Sequence, residues 1–286
     1  MTAETKTWFI TGCDSGMGYA VAQVMLERGD KVVLTARDVT NVQPLLEKFP
    51  TSARGFTLDV TDRVHVETVT EEAIGAFGGI DVLLNNAGFG VLGAAEETSA
   101  EEYRPMFEVN FFGLAEVTKA LLPHMRERRK GHIFNTSSLG GYAASAGFAF
   151  YAASKFAVEG FSDALAQEVA PFGIRVVILE PGSFRTHFAG SSLRKPARRI
   201  EAYTATPVEV TQSRMAMRDG TQPNDPQRLG HVLHRLARMD ALPLRLPLGE
   251  DALDRVRSKL EAGRAEFDAW RQVALSVSFD APILSD

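Results

Sequence analysis

Ser138-Leu-Gly-Gly-Tyr-Ala-Ala-Ser-Ala-Gly-Phe-Ala-Phe-Tyr-Ala-Ala-Ser-Lys155 follows directly on an apolar run, His132-Ile-Phe-Asn-Thr-Ser137. The run predicts a buried strand and the Ala-rich continuation predicts a helix. Tyr151 and Lys155 stand four apart at the start of that helix, which puts both on one face. The spacing has a chemical use. A phenol with an ordinary pKa of about 10 is a poor acid-base catalyst at neutral pH, and a nearby ammonium favours the phenolate and lowers that value. Ser138, upstream, can donate a hydrogen bond to a carbonyl oxygen that the tyrosine protonates. A Tyr and a Lys four apart are, taken alone, more often an ordinary helix-surface pair, so the rest of the chain must decide.

Thr7-Trp-Phe-Ile10 is a short apolar run, and Thr11-Gly-Cys-Asp-Ser-Gly-Met-Gly18 follows it, leading into a helical pattern through Val21, Val24, Met25 and Leu26 that stops at Gly29. Strand, glycines, helix is the context that a phosphate-binding turn requires. Gly12 permits the tight turn, Gly16 lets the backbone approach a diphosphate, and Gly18 lets the helix pack closely. Strands are expected at Lys31–Ala36, Gly55–Asp59 and Ile80–Leu84, separated by helices around Val42–Phe49 and Arg63–Phe77, with Asp62 as the N-cap of the latter. This alternation implies right-handed crossovers and an α/β fold, a single Rossmann-type doubly wound parallel sheet with helices on both faces. Ligands bind at the carboxyl ends of such strands, where Gly12–Gly18, Arg37, Asp59 and Asn85–Gly88 all fall.

Further on come a long helix from Glu101 to Met125 with Asn110 among apolar neighbours, the Tyr151 helix to about Pro171, and a strand Ile174–Leu179 closed by Glu180-Pro-Gly182. Residues 187–224 hold Pro196, Pro207 and Pro223, scattered apolar side chains and a basic cluster, Arg194, Lys195, Arg198 and Arg199. Weak periodicity over that length predicts a substrate lid. A helix Pro226–Met239, a strand at Leu244–Pro247 and an amphipathic helix from Glu250 to about Gln272 complete the body. Residues 1–272 thus read as one dinucleotide-binding domain. The tail 273–286, with Val277, Phe279, Ile283 and Leu284, is apolar enough to dock somewhere.

Composition narrows the function. The net charge of −5 over 286 residues gives no reason to expect nucleic acid. One cysteine, Cys13, rules out an internal disulfide and points to a reducing compartment. With no leader pattern and no apolar run of membrane-spanning length, a cytoplasmic chain without membrane contact is expected. His231 and His234 have helical spacing for a metal, but no Cys or carboxylate set accompanies them, so no metal is expected.

Taken in order, Thr11-Gly-x-x-x-Gly-x-Gly18, Asp59, Asn85-Asn-Ala-Gly88, Asn110, Ser138, Tyr151-x-x-x-Lys155 and Pro181-Gly182 followed by Thr186 resemble the short-chain dehydrogenase/reductase family over roughly residues 5–272. Thr11-Gly-Cys-Asp-Ser-Gly16 is similar to the turn of its hydroxysteroid and retinol dehydrogenase branch. The resemblance implies a catalytic set of Asn110, Ser138, Tyr151 and Lys155. Tyr151 would be general acid or base, Ser138 would polarise the substrate oxygen, Lys155 would hold the nicotinamide ribose, and Asn110 would hold a relay water. It implies cofactor contacts from Gly12, Asp14, Ser15, Gly16, Met17 and Gly18, from Asp59 and Val60 at the adenine, from Asn86, Ala87 and Gly88, and from Pro181, Gly182 and Thr186 near the carboxamide. It also implies a homodimer or homotetramer assembled through the helices that carry Asn110 and Tyr151.

The cofactor preference rests on strand register. Ala36 ends the second strand where NAD-selective relatives carry an acid, and Arg37 can pair with a 2′-phosphate. Asp38 lies about 20 positions beyond Gly18, the distance of a ribose-binding acid, but one step past the strand end it points to solvent or caps the next helix. NADP(H) is expected over NAD(H). The expected reaction is hydride transfer to or from a carbonyl or secondary alcohol in a small to medium apolar substrate, with walls from Phe89, Val91, Leu139, Phe148, Phe184 and Phe188. The alternatives are a reductase of a polar keto-acyl or sugar substrate and a non-catalytic NADP(H)-sensing protein.

Overall fold

A computed structural model describes residues 4–190 and 192–280. Along the chain run β1 (Thr7–Thr11), α1 (Gly16–Glu27), β2 (Lys31–Ala36), α2 (Gln43–Lys48), β3 (Ala53–Thr57), α3 (Arg63–Phe77), β4 (Val82–Asn85) and β5 (Gly90–Val91). Then follow α4 (Ala100–Phe107), α5 (Leu114–Arg128), β6 (Gly131–Thr136), α6 (Ala149–Val169), β7 (Ile174–Pro181) and β8 (Leu193–Arg194). The remainder is α7 (Pro207–Arg218), α8 (Pro226–Leu236), β9 (Arg245–Leu248), α9 (Glu250–Ala269) and α10 (Arg271–Leu275).

Seven strands form one sheet in the order β3-β2-β1-β4-β6-β7-β9, with parallel pairing throughout. The continuous apolar runs follow from burial on both faces. Every residue of β1 is buried, and its side chains alternate between two cores. Trp8 and Ile10 meet α1 and α8 through Val21, Met25, Leu229 and Leu233. Phe9 points the other way, towards α3, α5 and α6 through Val69, Leu121 and Leu165. Burying each of these large side chains is worth about 1.5–3 kcal/mol. Asp62 caps α3 by accepting from the His65 amide at 3.1 Å, as the sequence predicts. Chain order reverses between β1 and β4, which opens a crevice at their carboxyl ends.

Three expectations change. The single helix expected over Glu101–Met125 is α4 and α5 joined by a π-helical turn, Glu108–Gly113, with Asn110 inside it. Such a turn carries one residue more than the α-helical repeat allows and redirects the side chains around it. Residues 187–224 are more ordered than weak periodicity suggests: β8 pairs in parallel with β5, and α7 spans 12 residues. The final helix breaks at Trp270. In the tail, Val277 and Phe279 are exposed, while Ile283 and Leu284 lie outside the described residues. Among the described residues no helix is long and apolar enough to cross a membrane.

Candidate active site

β1 ends at Thr11 and the chain has to double back into α1. Gly12 and Gly16 make this possible with φ of +69° and +59°, a region that side chains disfavour. Gly18 is fixed by space, since a Cβ there would collide with the Gly12 carbonyl oxygen and lie 2.5 Å from Asn86 Nδ2. The loop after β4 is tied to this turn. Thr11 Oγ1 accepts from the amides of Asn86 (2.9 Å) and Ala87 (3.0 Å), and Asn86 Nδ2 donates to the carbonyls of Thr11 and Gly12, each at 3.1 Å. Asn86 therefore braces the turn with its carboxamide. Among the described residues Ser15, the N-cap of α1, makes no side-chain capping bond, so the first helical N–H groups and the positive end of the helix dipole face the cleft.

That space is a cavity of about 240 Å³ lined by Gly12, Asp14, Ser15, Gly16, Met17, Arg37, Asp59, Val60, Asn86, Ala87, Gly88 and Thr186. The Asp59 carboxylate accepts from Thr61 N (2.9 Å) and Thr61 Oγ1 (2.7 Å), and these bonds with the nearby Arg37 guanidinium hold its pKa below the usual range. Arg37 lines the cavity at the end of β2; Asp38 does not. Its carboxylate instead accepts from Thr40 N (2.9 Å) and Thr40 Oγ1 (2.7 Å) and caps the short turn Val39–Val42. Gly18 lies beneath the cavity rather than in its wall. Arg194, which the sequence places in a single basic cluster, is separated from it: its guanidinium stacks 4.2 Å from the centre of the Phe89 ring and lines this cavity. Lys195, Arg198 and Arg199 line a separate hollow with Glu97 and Glu209.

A second cavity, of about 320 Å³, adjoins the first and shares Met17, Asn86, Gly88, Phe89, Thr186 and Phe188 with it. Ser138, Tyr151 and Lys155 line it, together with Pro181 and Gly182. Leu139, Phe148, Phe184 and Phe188 form apolar wall as expected. Val91 does not: it is buried behind Tyr151 with Met106, because β5 turns that side chain inward to the core.

Tyr151 and Lys155 lie one helical turn apart on α6, and both are buried. The expectation that Lys155 lowers the tyrosine pKa is corrected here. Burial pushes the Tyr151 phenol up to about 12, an effect only partly offset by the adjacent Ser138 hydroxyl. Lys155 Nζ lies 6.0 Å from the centre of the Tyr151 ring and donates to the Thr136 carbonyl at 2.8 Å. Burial in turn pulls the Lys155 ammonium down to about 8, against the opposing pull of Glu159. Asn110 Oδ1 accepts from Phe89 N at 3.0 Å, while Nδ2 donates to Phe89 O (2.9 Å) and Ser154 Oγ (3.1 Å). A Cβ added at Gly88 would sit 3.0 Å from Asn110 Oδ1 and 3.6 Å from Lys155 Nζ. Gly88 thus leaves the gap across which these groups face each other.

The family model described as short chain dehydrogenase matches residues 6–197. The chain belongs to the short-chain dehydrogenase/reductase family. It is 38% identical over 274 residues to the oxidoreductase BOA17 of Botryotinia fuckeliana, covering 95% of this chain and 99% of that protein. A short-chain dehydrogenase from Streptomyces avermitilis superposes with a TM-score of 0.90 at 40% identity, over 96% of this chain and 100% of the other. The closed form of a serine dehydrogenase complexed with NADP+ superposes with a TM-score of 0.70 at 26% identity, covering 84% and 92%. The chain is an oxidoreductase of this family with a nucleotide-binding fold.

Four residues around the site were not singled out from the sequence. Ser154 donates to the Tyr151 carbonyl at 2.7 Å and accepts from Asn110, so it ties the π-helical turn to α6. Its place one residue before Lys155 was the available signal. Asp251, at the start of α9, accepts from Ser183 N (2.8 Å) and Asn224 Nδ2 (3.0 Å) and packs where a Gly182 side chain would stand. Glu159 and Glu180 are buried carboxylates beneath the site. His231 and His234 have separate partners: Arg28 Nε lies 3.2 Å from His231 Nδ1, and His234 Nε2 lies 3.8 Å from Asp30.

Proposed function

We propose that this oxidoreductase interconverts a carbonyl and a secondary alcohol on a small to medium, largely apolar substrate, using NADP(H). The observation that carries the reading is the meeting of Ser138, Tyr151 and Lys155 in a cavity walled by aromatic side chains, which adjoins a polar one with an open helix N-terminus. Tyr151 acts as the acid that gives its proton to the carbonyl oxygen in reduction and retrieves it in oxidation. A phenol whose burial keeps it protonated at neutral pH is prepared for the donating role. Ser138 donates a hydrogen bond to the same oxygen, and Lys155, set by the Thr136 carbonyl, supplies positive charge beside it. Asn110, through Ser154 and the Phe89 backbone, fixes the distance between the π-helical turn and α6, and its remaining Oδ1 lone pair offers a place for a water near Lys155.

The residues fit a dinucleotide. The glycine turn and the start of α1 would take the diphosphate, Asp59 and Val60 the adenine, Lys155 the nicotinamide ribose, and Pro181, Gly182 and Thr186 the carboxamide. When bound, the cofactor supplies or accepts the hydride. Arg37 in the cavity wall, with Asp38 turned to Thr40, favours a 2′-phosphate. The serine dehydrogenase complexed with NADP+ supports a nicotinamide dinucleotide by likeness. Residues 187–224 act as the lid over the second cavity, to which they contribute Phe188, Thr211 and Met215. Phe112 and Phe156, exposed beside the Asn110 and Tyr151 helices, suit a subunit interface.

The test is a screen of purified protein against aldehydes, ketones and secondary alcohols, following absorbance of the reduced nicotinamide. Turnover with NADPH above that with NADH is expected, and Tyr151→Phe should abolish it while dinucleotide binding persists. Dinucleotide binding with no turnover across the panel would overturn the enzyme reading in favour of a sensor.

A further inference from the structure

The second cavity is lined by buried Tyr151 and Lys155, by apolar side chains and by the exposed Arg214 and Arg218. Helix α7 turns Thr211, Arg214, Met215 and Arg218 towards it, residues spaced three and four apart and therefore on one face. Arg255 on α9 lines the same side, anchored by donating to the Ala144 carbonyl at 2.9 Å and to Ser145 Oγ at 2.7 Å. Arg214 lies close enough to Arg255 for its guanidinium to disfavour the charged form there, adding to the effect of burial. Among the described residues, neither Arg214 nor Arg218 makes an ion pair or a side-chain hydrogen bond. The one carboxylate in the lining among the described residues, Asp251, accepts from Ser183 N and Asn224 Nδ2.

We infer that the substrate carries an oxyanion, a carboxylate or phosphate ester, at the far end of an apolar stem, and that Arg214, Arg218 and Arg255 receive it while the carbonyl lies at Tyr151. The inference rests on the carbonyl-reductase reading and gives it a substrate class. The guanidinium groups of Arg214 and Arg255 repel one another, and a neutral ligand does nothing to relieve this. An oxyanion accepts from their planar forks in charge-assisted, bidentate fashion. The aromatic and aliphatic wall of Leu139, Phe148, Phe184 and Met215 between arginines and tyrosine suits a hydrocarbon stem and not a sugar. The arginines touch the end of the substrate remote from the reacting carbon, so they act on binding, chiefly on KM.

The experiment compares four ketones of matched chain length: a keto carboxylic acid, its methyl ester, the unsubstituted ketone, and a keto alcohol phosphate ester. For the wild type the anionic pair should have kcat/KM about tenfold above the neutral pair, from KM, and the advantage should shrink as salt screens the rim. In Arg214→Gln/Arg218→Gln, both exposed and outside the core, the advantage of the anionic pair over the neutral pair should fall towards unity. A higher value for the acid than for the phosphate ester, or the reverse, identifies which oxyanion is read. Equal kcat/KM for acid and methyl ester in the wild type overturns this inference and leaves the reductase reading standing. No turnover of any of the four, or of the wider carbonyl panel, overturns both.

Discussion

Replacing Glu180 with Gln should make the protein more stable at alkaline pH than at acid pH relative to the wild type, and the size of the effect follows from the site. Glu180 lies near the end of β7, opposite Pro247 of β9, and it is 0% exposed, with no hydrogen-bond partner among the described residues for either carboxylate oxygen. The nearest guanidinium is already engaged, since Arg245 donates to Glu159 at 3.1 Å and to Asp163 at 2.9 Å. Burial first, and the charge of Glu159 second, push the Glu180 carboxyl from 4.5 up to about 7. A carboxyl raised in the folded state binds its proton more tightly there than in the unfolded chain. Its favourable contribution is therefore whole below about pH 4.5 and is lost as pH rises to about 7. Moving the carboxyl from 4.5 to about 7 is worth roughly 3 kcal/mol. Gln is nearly isosteric and does not titrate, so the difference isolates this group from every other carboxylate. Linkage puts the gain of Glu180→Gln at roughly 0.8 kcal/mol near about pH 5 and roughly 3 kcal/mol near about pH 8, less a pH-independent term for the buried amide. Urea denaturation at the two pH values, at equal protein concentration, reads the difference directly. A gain that stays constant with pH would show that Glu180 ionises as in water, and the account of the buried pair would be wrong.

Replacing Ala36 with Asp and Arg37 with Ser should move the ratio of kcat/KM from NADPH towards NADH by at least about tenfold, through lost pairing and new repulsion at the 2′-phosphate; an unchanged ratio in steady-state kinetics refutes the register reading. Gly18→Ala should abolish dinucleotide binding by calorimetry, because the added methyl group collides with the Gly12 carbonyl and the Asn86 carboxamide that shape the turn; retained affinity refutes it. Ser154→Ala should lower kcat while leaving dinucleotide affinity near the wild-type value, since it frees Asn110 from α6 without touching the glycine turn; an unaltered kcat counts against the brace. Limited proteolysis within residues 187–224 should slow when cofactor and a turned-over ketone are both present, and equal rates with and without them exclude closure of the lid.

The sheet was legible because burial on both faces leaves a plain mark, an unbroken apolar run such as Lys31–Ala36 or Ile174–Leu179 followed by a polar turn. The glycine turn was legible because its geometry leaves no alternative to glycine. The π-helical turn at Asn110 was not, because one additional residue within 25 helical positions changes no composition and barely disturbs a 3.6-residue period. The Tyr151 pKa came out with the opposite sign because spacing places a lysine on the same face but does not say how much water surrounds the phenol. Val91 reads as cavity wall in the sequence because a two-residue strand is too short to show which way its side chains alternate. In α7 the apolar residues are too scattered to mark a face, so neither the helix nor its Arg214 and Arg218 stands out within residues 187–224.

The wall held in common by the two cavities has a consequence for ligand design. Met17, Phe89, Thr186 and Phe188 would touch whatever fills either side, so no partition separates a nucleotide-like group from a ketone-like one. A compound joining both by a short tether crosses that boundary without breaking contact, and its second half binds at the effective concentration set by the tether, in the millimolar range for a short flexible linker. A ligand of this kind could reach affinities that neither fragment attains alone, and its discrimination among related enzymes would come from the arginine-bearing side rather than from the shared nucleotide cleft.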